Sequence, residues 1–191
     1  MSGDSRVKVT SVSEVLPEVR VVEPRRFRDD RGYFSEVFNE RDLRAAGIGL
    51  RFIQENHAFS EPAYTLRGIH YQIGEHQQDK LVRVVTGSAL DVAVDLRRGS
   101  ATFGRWASCL LSAENGRQML VPKGFGHGIL SLEPGTHISY FVTAHYSPDH
   151  DRGIRFDDPR LAIDWGVDAG VVLLSPRDDR LPTLADSPDL M

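Results

Sequence analysis

The sequence predicts an all-β fold, either a double-sheet jelly roll or a closed barrel, with a few short helices. Short apolar, β-branched runs follow one another along the chain, and glycines at Gly74, Gly87, Gly99, Gly116, Gly124 and Gly135 punctuate them. Only one segment carries helix-capping signals. With this many strands, a jelly roll or barrel is favoured because either limits exposed sheet edges.

The predicted strands, in order, are 33–38 (YFSEVF), 66–73 (LRGIHYQI), 80–85 (KLVRVV), 89–96 (ALDVAVDL), 105–111 (RWASCLL), 118–122 (QMLVP), 127–132 (HGILSL) and 137–143 (HISYFVT). The helix lies between the first two. Asn39 can cap it, Asp42 sits at the capping-box position, and Gly47 can close the end after Ala45 and Ala46. A chain of 191 residues with no low-complexity linker and no internal repeat is expected to form one domain over 1–191. Its Pro- and Asp-rich end, 179–191, is expected to be a surface tail.

Composition narrows the function classes. The net charge of −4, with basic residues scattered, gives no footprint for nucleic acid or a membrane surface. No apolar run approaches the roughly 18 residues that span a bilayer, and the start MSGDSRVKVT lacks a secretory core, so the chain reads as cytoplasmic. Cys109 is the only cysteine. Within one chain that excludes a disulfide and a thiolate metal cluster, and its strand-like setting suits a packed structural thiol.

Strand parity sorts the polar residues. In 33–38, Phe34, Glu36 and Phe38 share a face, so an inward Glu36 needs a partner. In 89–96, Leu90, Val92, Val94 and Leu96 face one way and Asp91, Ala93 and Asp95 the other. Acids in that position ordinarily face solvent, but Lys80 weighs against this. Lys80 shares a face with Val82 and Val84, either as a snorkelling strand end or as a pocket cation. Strict alternation puts Arg67 opposite His70 although both look like site residues, and Gly68 is placed to mark a bulge that re-aims one of them.

Two chemistries suit such residues. Metal-binding cupins present two histidines one residue apart on a strand. Here His70 is followed by Tyr71 and Gln72, leaving His70 and His127 as at most two ligands, so no metal is expected. A metal-free pocket holding His, Lys, Tyr and carboxylates instead suits proton transfer beside a carbonyl. A ketone α-proton is roughly 12 units less acidic than an imidazolium, a gap of about 16 kcal/mol, so the enolate must be stabilised. Lys80 is the candidate for that role, a carboxylate would orient His70, and Tyr140 is a candidate acid.

The motifs FRDDRGYFSEVF, FIQENHAFS, LRGIHYQ, DKLVRVVTG, DVAVDLRRGSATFGRW, VPKGFGHG, DDPRLAIDW and LLSPRD together resemble the dTDP-4-dehydrorhamnose 3,5-epimerase family, metal-free cupins acting on dTDP-4-keto sugars. The likeness runs from about Val21 to Asp178. It implies a cupin-type jelly roll with no cofactor, and a homodimer whose N-terminal strands cross to the partner. It implies His70 as proton acceptor, with Asp178 as its partner and Asp91 as a second candidate, Lys80 on the enolate oxygen and Tyr140 as proton donor. It also implies substrate contacts from Phe27, Arg31, Glu36, Gln54, Asn56, Arg67, Gln72, His127, Tyr146, Asp151 and Arg177. Arginine suits diphosphate through its planar fork, and Phe27 and Tyr146 would hold the thymine ring.

The implied reaction is double epimerisation of dTDP-4-dehydro-6-deoxy-D-glucose. A single-carbon epimerase, a metal-dependent cupin and a non-catalytic nucleotide-sugar-binding cupin are the alternatives. Ala58, Tyr146 and Arg177 replace the family's frequent Ser, Trp and Lys, which bears on substrate choice.

Overall fold

The computed structural model describes residues 6–191. The strands are β1 (Val7–Ser11), β2 (Arg20–Pro24), β3 (Arg26–Asp29), β4 (Gly32–Ser35), β5 (Gln54–Ser60), β6 (Leu66–Gln72) and β7 (Lys80–Thr86). They continue with β8 (Ser88–Asp95), β9 (Trp106–Ser112), β10 (Gln118–Val121), β11 (Phe125–Ser131), β12 (Thr136–Val142) and β13 (Asp151–Gly153). One antiparallel sheet runs β1-β2-β10-β7-β12-β5 and a second runs β13-β6-β11-β8-β9, while β3 and β4 form a separate hairpin. The one α-helix, α1 (Glu40–Ala45), starts where Asn39 Oδ1 accepts from the Asp42 amide at 3.3 Å.

Apolar side chains from both sheets meet in a common core. Val82, Val84, Met119 and Ile138 of the six-stranded sheet pack with Ala89, Ala93, Cys109 and Ile129 of the five-stranded one. This is the double-sheet jelly roll, one of the two architectures that the strand pattern favours. Cys109 is buried there as a structural thiol, and burial pushes it up to about 11. The outer face of the six-stranded sheet is covered by α1 through Leu43, with Ile48 beside it. The outer face of the other sheet packs Val92, Val94 and Leu96 against Phe156, Trp165 and Leu184.

Several expectations change. The run 33–38 is not one strand: pairing ends at Arg26 with Ser35, and the chain then turns toward the helix cap. Phe34 is left 67% exposed, whereas Phe38 packs on Phe52 and Phe141. Glu36 therefore faces no buried pocket and pairs with Arg6 at 2.5 Å near the surface. Parity in 89–96 holds, but Asp91 and Asp95 are fully buried rather than solvent-facing. The Arg97 guanidinium and the hydroxyls of Ser100 and Thr102 bond the Asp95 carboxylate, which overcomes its burial and holds its pKa low.

Residues 179–191 carry no strand, yet Leu184 and Ser187 are buried and Ser187 Oγ bonds the Tyr71 hydroxyl at 2.8 Å. No described helix is long and apolar enough to cross a membrane.

Candidate active site

Between the two sheets, toward one end, lie two adjoining cavities of about 270 and 330 Å³ that share His70, Lys80, Tyr140 and Arg177. They form one cleft. His70 reaches it from β6 of the five-stranded sheet, whereas Lys80 and Tyr140 reach it from β7 and β12 of the other sheet. Imidazole and phenol therefore line one space from opposing walls.

The alternation problem in LRGIHYQ is resolved by irregular pairing. His127 pairs with His70 and Ile129 with Arg67, so β6 carries one residue more than β11 over that interval. Gly68 makes the irregularity possible: its φ is +115°, and a Cβ there would run into the His127 carbonyl oxygen and the Gly128 Cα. Arg67 and His70 both end up lining the cleft.

His70 on β6 and His127 on β11 each pair with an aspartate. His70 Nε2 lies 2.5 Å from Asp178 Oδ1, with the imidazole 28% exposed and the carboxylate 5%. His127 Nε2 lies 2.7 Å from Asp91 Oδ1, with side chains 9% and 0% exposed. The two candidate partners of His70 are thus separated: Asp178 holds His70 and Asp91 holds His127. Burial works against ionisation of Asp178, but the hydrogen bond and charge of His70 and the Ser175 hydroxyl outweigh it and lower its pKa. Burial lowers the pKa of His127, and the charges of Lys80 and His70 add to that against the pull of Asp91.

The opposite wall supplies a cation and a phenol. Burial brings Lys80 down to about 8, partly offset by Asp151 and Asp91. Burial also raises the Tyr140 phenol, with Arg67 opposing and Asp151 adding, so it is a protonated donor at neutral pH. At the outer end of the cleft, Arg177 bonds Asp151 at 2.7 Å, and the Tyr146 hydroxyl donates to the same carboxylate at 3.1 Å. Gln54 and Asn56 line that end and bond each other at 2.8 Å. Arg67 donates to the Phe59 carbonyl at 2.7 Å.

Not every candidate joins the cleft. Gln72 lines it, but its amide is spent on the His76 and His145 carbonyls and the Ser147 amide, which ties two loops together. Phe27 lies on the β3–β4 hairpin, with Arg31 in its turn and Glu36 just beyond, and none of them lines this chain's cleft. Arg31 pairs with Asp29 at 2.6 Å on the surface. Sequence reasoning missed Ser175, which lines the cleft and accepts from the Asp178 amide at 3.0 Å. Its signal was its place in LLSPRD. Among the described residues, no three His, Cys, Asp or Glu side chains gather as ligands for one ion.

A jelly roll whose inter-sheet cleft sets an aspartate-bound imidazole against a phenol, beside a buried lysine, defines a cupin-type acid–base site. The sequence profile of dTDP-4-dehydrorhamnose 3,5-epimerase matches residues 13–186, and the chain belongs to that family. The dTDP-4-dehydrorhamnose 3,5-epimerase of Sinorhizobium fredii is 46% identical over 188 residues, covering 98% of this chain and 96% of that protein. A crystal structure of the Legionella pneumophila 3,5-epimerase in complex with dTDP-4-keto-L-rhamnose superposes with a TM-score of 0.87 at 40% identity, covering 94% of this chain and 93% of that one. A 3'-monoepimerase from Streptomyces bikiniensis, in complex with dTDP-quinovose, superposes at 0.82 with 36% identity, covering 88% and 85%.

Proposed function

We propose that this protein inverts carbons 3 and 5 of dTDP-4-dehydro-6-deoxy-D-glucose, giving dTDP-4-dehydro-L-rhamnose without a cofactor. The observation that carries this reading is the placement of His70 and Tyr140 on opposing walls of one cleft with Lys80 beside them. Asp178 holds the proton of His70 on Nε2, leaving Nδ1 to take the proton from the carbon next to the ketone. The C–H electron pair moves onto the carbonyl oxygen, where the Lys80 ammonium meets the developing charge. Tyr140 returns a proton to the opposite face, which inverts the carbon; His70 then gives its proton to solvent, Tyr140 regains one from solvent, and the same steps act on the second carbon. Arg177, Asp151, Tyr146, Gln54 and Asn56 line the outer end and serve the nucleotide diphosphate.

The test is solvent exchange. In deuterium oxide, NMR of the keto sugar is expected to show deuterium entering carbons 3 and 5, with exchange abolished in His70→Asn. Deuterium at one carbon alone would make the protein a single-carbon epimerase, and none at either would overturn the reading.

The protein acts as a homodimer in which Phe27, Arg31 and Glu36 complete the partner's cleft. Support comes from the aromatic hairpin, with Phe27, Tyr33 and Phe34 exposed away from this chain's own cleft. His70→Asn and Arg31→Ala proteins are each expected to be inactive, and co-refolding them should restore activity by forming one intact site per mixed dimer. No restoration would mean that the hairpin does not complete the partner's cleft.

A further inference from the structure

The His127–Asp91 pair has no step in the chemistry above, yet its geometry is specific. Asp91 is fully buried, its Oδ1 meets His127 Nε2 at 2.7 Å, and its Oδ2 is sealed with no hydrogen-bond partner. Such a carboxylate needs the His127 donor, its one side-chain hydrogen-bond partner among the described residues. If His127 turned a bare nitrogen toward it, two lone pairs would oppose each other at 2.7 Å. The proton therefore belongs on Nε2. His127 Nδ1 makes no protein hydrogen bond and is not among the sealed, unpartnered atoms of the described residues, while the ring lines the cleft. That nitrogen is the part of the ring open to a ligand.

We propose that Asp91 is a positioning residue that locks His127 in the Nε2–H tautomer, so that Nδ1 accepts a hydrogen bond from a hydroxyl of the bound sugar. A second proton on the ring is opposed by its burial and by Lys80 and His70. His127 pairs directly with His70 across β6 and β11 and lines the same part of the cleft, beside the two reacting carbons; of these carbon 3 bears a hydroxyl and carbon 5 a methyl group, so the accepted hydroxyl is that of carbon 3. That identity rests on the keto-sugar reading, whereas the tautomer does not. The consequence is specificity: an acceptor here favours a sugar with a hydroxyl at that carbon and disfavours one that offers only an acceptor.

The experiment is nitrogen-15 NMR of histidine-labelled full-length protein at pH 7, with His127 assigned by the loss of its signals in His127→Gln. A protonated Nε2 and a bare Nδ1 are expected. A proton on Nδ1, or on both nitrogens, overturns the proposal. In Asp91→Asn the neutral amide no longer dictates the proton's position, so a second tautomer should appear and KM for the keto sugar should rise about tenfold, with kcat changed less. An unchanged tautomer with unchanged KM also overturns it. If Asp91→Asn does not fold, the wild-type spectrum still decides. Failure of the epimerase reading would appear separately, as wild-type protein with the expected tautomer but no deuterium exchange.

Discussion

The pairs His70–Asp178 and His127–Asp91 use the same two kinds of side chain, with the histidines on neighbouring strands and contacts of 2.5 Å and 2.7 Å, and differ mainly in what surrounds them. The first imidazole stands 28% exposed at the cleft, and its aspartate comes from a short 3-10 turn far along the chain. The second is almost sealed, and its aspartate lies on the adjacent strand β8 with one oxygen unsatisfied. A histidine that must gain and lose a proton needs room for the charge it acquires. A histidine that must stay neutral and oriented is better enclosed. Exposure, more than the chemistry of the pair, separates the ring proposed to react from the one proposed to bind.

Substitution should separate the two pairs most clearly. His70→Asn is expected to lower kcat by about a thousandfold, with little change in melting temperature, because it removes the base from a half-open site. His127→Ala should do the reverse, costing about 3 kcal/mol of stability by stranding the buried Asp91 charge, and raising KM more than it lowers kcat. Equal effects of the two on kcat would dissolve the distinction. Denaturant unfolding and steady-state kinetics on the same preparations measure both.

Asp178→Asn comes next, with an expected loss in kcat of about a hundredfold, since the imidazolium formed on His70 loses its counter-charge. Lys80→Met should likewise lower kcat by about a hundredfold, yet stabilise the fold at pH 7. The folded-state pKa of Lys80 lies at about 8, below its ordinary 10.5, so carrying the charge is a cost to the folded protein below pH 8 that disappears above 10.5. Removing the amine should therefore raise stability by about 1–3 kcal/mol at pH 7, shrinking as pH rises through that window. The same group should make wild-type kcat fall above pH 8, as the ammonium facing the enolate is lost.

The smallest effect is the pH dependence of stability on the acid side. His127 is held below its ordinary value, so the unfolded chain binds its proton first. Its contribution is complete above about pH 6.5 and declines as pH falls below that. This part of the slope should vanish in His127→Gln, while the contribution of Asp178, lost only as pH falls through its own lowered value, should remain.

Much of this was legible in advance. The β-branched runs at 80–85, 89–96 and 137–143 become β7, β8 and β12 within a residue or so at most ends, because strands buried on both faces leave a continuous apolar signal. Asn39 capped the helix as its spacing implied. By contrast β1, β2, β3, β5 and β13 are short, polar or at sheet edges, and their alternation is too weak to stand out. At the site, the residue types and the motif resemblance marked His70, Lys80, Tyr140 and Asp178. They did not reveal that Asp91 serves His127, because both aspartates were plausible partners for either ring.

By itself, the sequence determined the all-β class, most of the longer strands and which side chains are candidates for proton chemistry, since these follow from local periodicity and residue identity. Tertiary structure alone decided which aspartate meets which histidine, how Gly68 lets Arg67 and His70 share a wall, and that the hairpin with Phe27, Arg31 and Glu36 leaves its own chain's cleft. The reason is physical: pairing across 108 residues, as between His70 and Asp178, depends on where two sheets and a terminal turn come to rest, and no local pattern encodes a distance of that kind.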